Sequence, residues 1–109
     1  MKEAYAVKRK DLILIGNLVI DLACREVTLE GKPLSLTFTE YELLVFLAAN
    51  SGRVFTREAL LNKIWGYDYY GGDRTVDVHV RRLRAKIEWG KHSFIETVRG
   101  TGYRFKKPS

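Results

Sequence analysis

Arg74, Arg81, Arg82 and Arg84 sit within one short stretch of chain, Asp73 to Ile87. A guanidinium is a planar, permanently charged fork that matches phosphate oxygens and the acceptor edge of guanine. A cluster of them is chemistry for holding an anion, not for moving protons. The residues between them predict a helix. Val76, Val80, Leu83 and Ile87 recur at i, i+4, i+7 and i+11 and form one apolar stripe. At about 100° per residue, Arg74, Val78, Arg81, Arg82 and Ala85 point the other way. One face requires a core and the opposite face an anion. A solvated basic helix has the same composition, so the cluster alone does not decide between the two.

Charge elsewhere in the chain sharpens the reading. The 109 residues hold 19 Lys+Arg and 13 Asp+Glu, a net charge of +6. Residues 1–73 carry 9 basic and 10 acidic side chains, and residues 74–109 carry 10 and 3. The whole excess lies in the last third, the electrostatic footprint of a nucleic-acid binder. The length suits one domain with a single core. The lone Cys24 has no internal disulfide partner and reads as a small buried apolar residue in a reducing compartment rather than a nucleophile. No apolar run approaches the ~18 residues of a membrane span, and the N-terminus lacks the apolar region of a secretion signal. A cytoplasmic location and no membrane partner are expected. The sequence offers no phosphate-cradling glycine loop, no paired catalytic carboxylates and no nucleophile with its base. His79, His92 and Cys24 have no metal-ligand spacing. Neither enzymatic activity nor a cofactor or metal is expected.

The elements that must position the arginines are legible in outline. Residues 1–10 read as a tail or interdomain linker, and residues 11–107 as one domain. Leu12–Ile15, Leu18–Ile20, Arg25–Leu29 and Pro33–Leu36 predict four short strands in an antiparallel meander, with Pro33 at an edge or a strand start. Thr37-Phe38-Thr39-Glu40 has the form of a capping box, with Leu36 and Tyr41 as its hydrophobic staple. Leu43, Leu44, Leu47 and Ala48 continue that helix. Thr56 opens a second helix with Leu60, Leu61, Ile64 and Trp65 on its apolar side and Gly66 at its end. Tyr67 to Gly72 is a tyrosine-rich loop, either packed back on the domain or exposed to a protein partner. After the arginine helix, Ile95–Val98 and Tyr103–Phe105 predict a hairpin, with Gly100 and Gly102 supplying positive φ. Its arginine tip, Arg99, suits a minor groove.

Three helices followed by a basic-tipped hairpin form a winged helix-turn-helix arrangement, α+β in class. Leu36 to Leu44, Thr56 to Leu61 with Trp65-Gly66, Arg74 to Arg84 and Thr97 to Tyr103, in this order and spacing, resemble the effector domain of OmpR/PhoB-type response regulators. The resemblance covers about Leu18 to Phe105. It implies a four-stranded N-terminal antiparallel sheet, three helices and a C-terminal β-hairpin wing. It further implies sequence-specific binding of double-stranded DNA at promoter direct repeats, with helix 74–88 in the major groove and wing 95–105 at the minor groove. By position it assigns Asp77, Val78, Arg82 and Arg99 to bases, and Trp65, Arg74, His79, Arg81, Arg84, Thr97, Gly100 and Tyr103 to the DNA backbone. The loop Tyr67, Asp68, Tyr69, Tyr70, Gly71, Gly72, Asp73 matches a segment linked to RNA polymerase. A second copy in tandem on DNA and an N-terminal receiver domain in the full-length, two-component phosphorelay protein are also implied. Residues 1–10 then read as a linker remnant, with a stand-alone regulator as the alternative.

Physical reading leaves some assignments open. Asp77 precedes Arg81 by four residues, so it either orients that arginine or faces a base. His79 lies about 60° from Val76 and serves either the core side or DNA. Trp65 reads as core, with its N–H free to point outward. Arg104 reads as a solvated strand residue. RNA binding by a basic module is the competing function, and the aliphatic N-terminal strands, which lack stacking aromatics, count against it.

Overall fold

The computed structural model describes residues 11–107, so the tail at 1–10 lies outside the described residues. The chain divides into two compact units, the first ending at Ser35 and the second beginning at Leu36.

The first unit is an antiparallel meander. Strands β1 (Leu12–Ile15), β2 (Leu18–Asp21), β3 (Glu26–Leu29) and β4 (Lys32–Pro33) lie in sequence order in one sheet. Leu18 and Ile20 on β2 and Val27 and Leu29 on β3 are buried, as the period of two requires. The fourth strand is shorter than the sequence suggests. Pro33 pairs with Thr28 but has no N–H to give, and only Leu34 N, donating to Val27 O at 2.9 Å, carries the ladder further. β4 stops there instead of running to Leu36. The turn is also tighter than expected, because Lys32 already pairs with Leu29.

The second unit holds the helices and a second sheet. Helix α1 (Phe38–Ala49) starts at the expected capping box. Thr37 Oγ1 accepts from Glu40 N at 3.1 Å and Glu40 Oε1 accepts from Thr37 N at 3.0 Å. Glu40 is buried, and Lys86 Nζ meets the same carboxylate oxygen at 2.6 Å. A buried charge is tolerated only when paired and hydrogen-bonded, and here one residue is both. Burial acts to raise the Glu40 pKa, but the Lys86 ammonium and the Thr37 N–H together hold it below its ordinary value.

Strand β5 (Val54–Thr56) follows, then helix α2 (Arg57–Leu60), which passes into a single π-helical turn over Leu61–Trp65. Thr56 caps α2 as expected, accepting from Ala59 N at 3.0 Å. The regular apolar face expected from Leu60 to Trp65 is not realised. The wider turn leaves Leu60 buried, with Leu61, Ile64 and Trp65 only half-buried. Helix α3 (Arg74–Ile87) carries the arginines, and Val76, Val80, Leu83 and Ile87 are buried along its length, as the spacing predicts. Glu88 is its C-cap rather than a helical residue.

Strands β6 (Ile95–Val98) and β7 (Gly102–Phe105) form the expected hairpin, but as part of a three-stranded antiparallel sheet of order β5-β7-β6. β5 is the strand that the sequence reading omits. At the tip only Gly100 has a positive φ, 74°. Gly102 has a different reason to be glycine. A Cβ there would stand 1.9 Å from the Phe55 carbonyl oxygen, so the β7 backbone passes where no side chain fits. Phe105 is fully buried, and Phe94 stacks against it at 5.8 Å between ring centroids.

Candidate nucleic-acid interface

Helix α3 has four distinct flanks. With Val76 set at zero and about 100° per residue, Val76, Val80, Leu83 and Ile87 span the core side. Arg84, Asp77 and Glu88 follow at about 80–120°, and Arg74, Arg81, Ala85, Val78 and Arg82 at about 140–240°. Lys86 and His79 complete the circle at about 280–300°.

The flank holding Arg84, Asp77 and Glu88 is spent on the second sheet and α2. Asp77 accepts from Arg57 Nη2 at 2.8 Å and Arg57 Nε at 3.2 Å, and from the Tyr103 hydroxyl at 2.6 Å. Of the two readings left open for Asp77, the one that has it orient Arg81 does not match these partners. Its partners come from the start of α2 and from β7. Burial favours the neutral acid, but the Tyr103 hydroxyl and the Arg57 guanidinium hold the Asp77 pKa below its ordinary value. Burial first, and then the bond to Asp77, push the phenol of Tyr103 up to about 12. The hydroxyl is a donor locked onto a carboxylate.

Arg84 donates through Nη2 to Ile95 O at 2.7 Å and to Thr97 Oγ1 at 2.9 Å, with Nε 3.2 Å from the same carbonyl. Its guanidinium carbon lies 5.7 Å from the Tyr103 ring centroid. One turn further on, Glu88 Oε2 accepts from Phe94 N at 2.6 Å and Ile95 N at 2.7 Å. Arg104 is no free strand residue either, since it pairs across the hairpin with Glu96 at 2.7 Å.

The next flank is bare. Arg74, Arg81 and Arg82 are exposed, and among the described residues they form no ion pair or side-chain hydrogen bond. Arg74 reaches Asp77 only through its field. Val78 shares this face and is 37% exposed. Arg99 is equally exposed and equally unpaired at the tip of the β6–β7 turn, beside Gly100. Between α3 and the hairpin lies a cleft of about 330 Å³ lined by Arg57, Asp77, Thr97 to Val98 and Gly100 to Tyr103.

On the remaining flank His79 Nδ1 lies 2.9 Å from Thr75 O. A carbonyl only accepts, so it is the Nδ1–H that donates to it. The ring meets the Trp65 indole edge-on at 5.0 Å. Trp65 is half-exposed rather than core, because the π turn holds it at the surface against His79 and, at 6.3 Å, against Tyr69. In the loop between α2 and α3, Tyr69 folds back and its hydroxyl meets Thr75 Oγ1 at 3.3 Å. Tyr67 and Tyr70 stand out at 86% and 96% exposure, with Asp68 and Gly71 to Asp73 also at the surface. The alternatives for this loop are thus divided among its three tyrosines.

The sequence reading missed Arg57. Nothing near it in the chain marks it, because its partner lies twenty residues away. A signal for the clamp does exist. Asp77, Arg84 and Glu88 repeat the i, i+7, i+11 spacing of the apolar stripe, displaced by one residue toward its border.

A helical pair whose second helix presents unpaired arginines, flanked by a sheet with an arginine-tipped turn, defines a winged helix-turn-helix DNA-binding domain. The family model described as "Transcriptional regulatory protein, C terminal" matches residues 31–105. The chain belongs to that family, the OmpR/PhoB-type DNA-binding domain of response regulators. It is 50% identical over 94 residues to the transcriptional regulatory protein VxrB of Vibrio cholerae, covering 86% of this chain and 37% of that protein. The chain thus spans well under half the length of that relative. Among solved structures, the Klebsiella pneumoniae RstA DNA-binding domain in complex with RstA box aligns with a TM-score of 0.78 at 38% identity, over 87% of this chain and 96% of that one. The Thermotoga maritima OmpR/PhoB homologue DrrB aligns with a TM-score of 0.82 at 36% identity, over 97% of this chain and 52% of that one. Among the described residues, no helix is long and apolar enough to cross a membrane.

Proposed function

We propose that the chain binds promoter DNA sequence-specifically at direct repeats, as the effector domain of a two-component response regulator. The observation that carries this reading is the set of four arginines with no ion-pair or hydrogen-bond partner among the described residues, three on one flank of α3 and one at the wing tip. An arginine left unpaired beside others repels them, so the arrangement is favourable only when an anion arrives. α3 enters the major groove with Arg82 and Val78 toward base edges, Arg82 for guanine and Val78 for a thymine methyl. Arg74 and Arg81 take phosphates, joined by the Trp65 indole N–H, with His79 packed edge-on against that indole. Arg99 enters the adjacent minor groove, with Gly100 letting the backbone approach. Asp77, Arg84, Thr97 and Tyr103 are assigned to positioning, because their polar groups already hold one another.

Two copies in tandem place their helices on one face of the duplex when the half-sites lie about one helical turn apart. The exposed Tyr67 and Tyr70, with Asp68 between them, suit contact with RNA polymerase. The full-length protein carries a receiver domain N-terminal to this segment. Selection from a random duplex pool, followed by footprinting, tests the central claim. A repeated motif of constant spacing is expected. Recovery of unrelated sequences with equal affinity, or preferential capture of structured RNA in competition, rejects it.

A further inference from the structure

Three groups on one flank of α3 reach the hairpin or its approach, and each is satisfied there: Asp77 by Tyr103, Arg84 by Ile95 O and Thr97 Oγ1, and Glu88 by Phe94 N and Ile95 N. Asp77 is also held from behind by Arg57 at the start of α2. The Tyr103 ring is bracketed, its hydroxyl on Asp77 and its face toward Arg84. The recognition helix and the wing are therefore joined by charge-assisted hydrogen bonds, which are short and directional, rather than by apolar contact alone. Arg82 and Arg99 stand on the two bodies joined in this way.

We propose that the Arg57–Asp77–Tyr103 clamp is a coupler between the two grooves. It fixes the wing against the recognition helix, so that seating α3 in the major groove delivers Arg99 to the minor groove without a further ordering step. Asp77 and Tyr103 act as positioning residues, working through Arg99 rather than on DNA. The physical basis is preorganisation. A wing held in place loses little freedom on binding, whereas a loosened wing must be ordered at the expense of its contact. The proposal rests on the reading of Arg82 and Arg99 as groove contacts and adds that their contributions are linked.

A double-mutant cycle on the selected DNA site tests this. Tyr103→Phe removes only the hydroxyl that reaches Asp77. Arg99→Ala is expected to weaken binding by about tenfold in the native background. In the Tyr103→Phe background the same change is expected to weaken it by no more than about threefold. A clamp that merely stabilises the fold gives equal factors in both backgrounds, and that result overturns the coupling. Loss of a direct phosphate contact by Tyr103 is also additive and overturns it too. Should Arg99→Ala leave affinity unchanged in the native background, the wing reading itself fails, a separate outcome. Thermal melts of the four proteins are expected to show no coupling, since Arg99 is exposed and unpaired. Asp77→Ala, which removes the acceptor of the Tyr103 hydroxyl from the helix side, runs the same cycle if Tyr103→Phe does not fold.

Discussion

Two neighbouring flanks of α3 carry similar residues and do opposite work. On one, Asp77, Arg84 and Glu88 are bonded to α2, the hairpin and its approach. On the other, Arg74, Arg81 and Arg82 have no ion-pair or hydrogen-bond partner among the described residues. Arg81 and Arg84 are three residues apart in sequence, yet one donates three hydrogen bonds within the fold and the other none. The lesson is that basic charge in a helix is not one quantity. Charges bordering the apolar stripe meet whatever the core packs against, while charges facing away from it remain for a ligand. The net charge of the last third therefore overstates the DNA-binding surface, because Arg84, Lys86 and Arg104 already have partners.

The division is sharpest where a change on one flank leaves the other's property untouched. Arg82→Ala should cost about 1–3 kcal/mol on the selected site and much less on scrambled duplex. Its melting temperature should stay that of the native protein. A parallel loss on both DNAs would move Arg82 to the phosphate class. Glu88→Ala should do the reverse. It strips the acceptor from two backbone N–H groups, so unfolding in denaturant should show a loss of about 1–3 kcal/mol. Unchanged stability would mean that water replaces the carboxylate, and the contrast between the flanks would weaken at this end.

The same comparison explains what was legible in the chain. The apolar stripe and the bare arginines both follow from a single number, the residues per turn, and the buried and exposed residues of α3 fall where that number puts them. The capping box is legible because both of its bonds are local. The clamp is not, because Arg57 and Tyr103 lie twenty and twenty-six residues from Asp77 and only the fold brings them together. β5 escapes notice because it runs straight into the helix cap at Thr56, so no turn signal sets it apart as a strand. Gly102 looks like a turn glycine in sequence, since a need for positive φ and a need for an absent side chain select the same residue. The π turn at Leu61–Trp65 breaks the period on which the α2 expectation rests, and so places Trp65 at the surface.

Smaller effects separate the arginines within the bare flank. Arg81→Ala should weaken binding to specific and scrambled duplexes by a similar factor. It should also reduce the slope of log affinity against log salt by about one. Titrations at three or more salt concentrations would show this. An unchanged slope would indicate that Arg81 does not displace a counterion and that the flank is narrower than its exposure suggests.

The smallest effect falls on the bonded flank and is read by pH. Asp77 and Glu40 are both held below their ordinary values in the folded protein, Asp77 by Tyr103 and Arg57 and Glu40 by Lys86 and Thr37, in each case against burial. A carboxylate whose folded pKa is depressed binds protons more readily once unfolded. Its stabilisation is therefore complete above the unfolded value, about 4, and is lost as pH falls through the folded one. Melting temperature should be level near neutrality and should decline below about pH 4. Asp77→Asn should lower the neutral plateau and make the acid decline shallower, since one of the depressed carboxylates is gone. A decline of the same steepness in Asp77→Asn would assign acid sensitivity to the other depressed carboxylates, Glu40 in the α1–α3 pair and Asp21. The clamp would then contribute geometry without electrostatic stabilisation, and the coupling between helix and wing would rest on the Tyr103 and Arg84 hydrogen bonds rather than on charge.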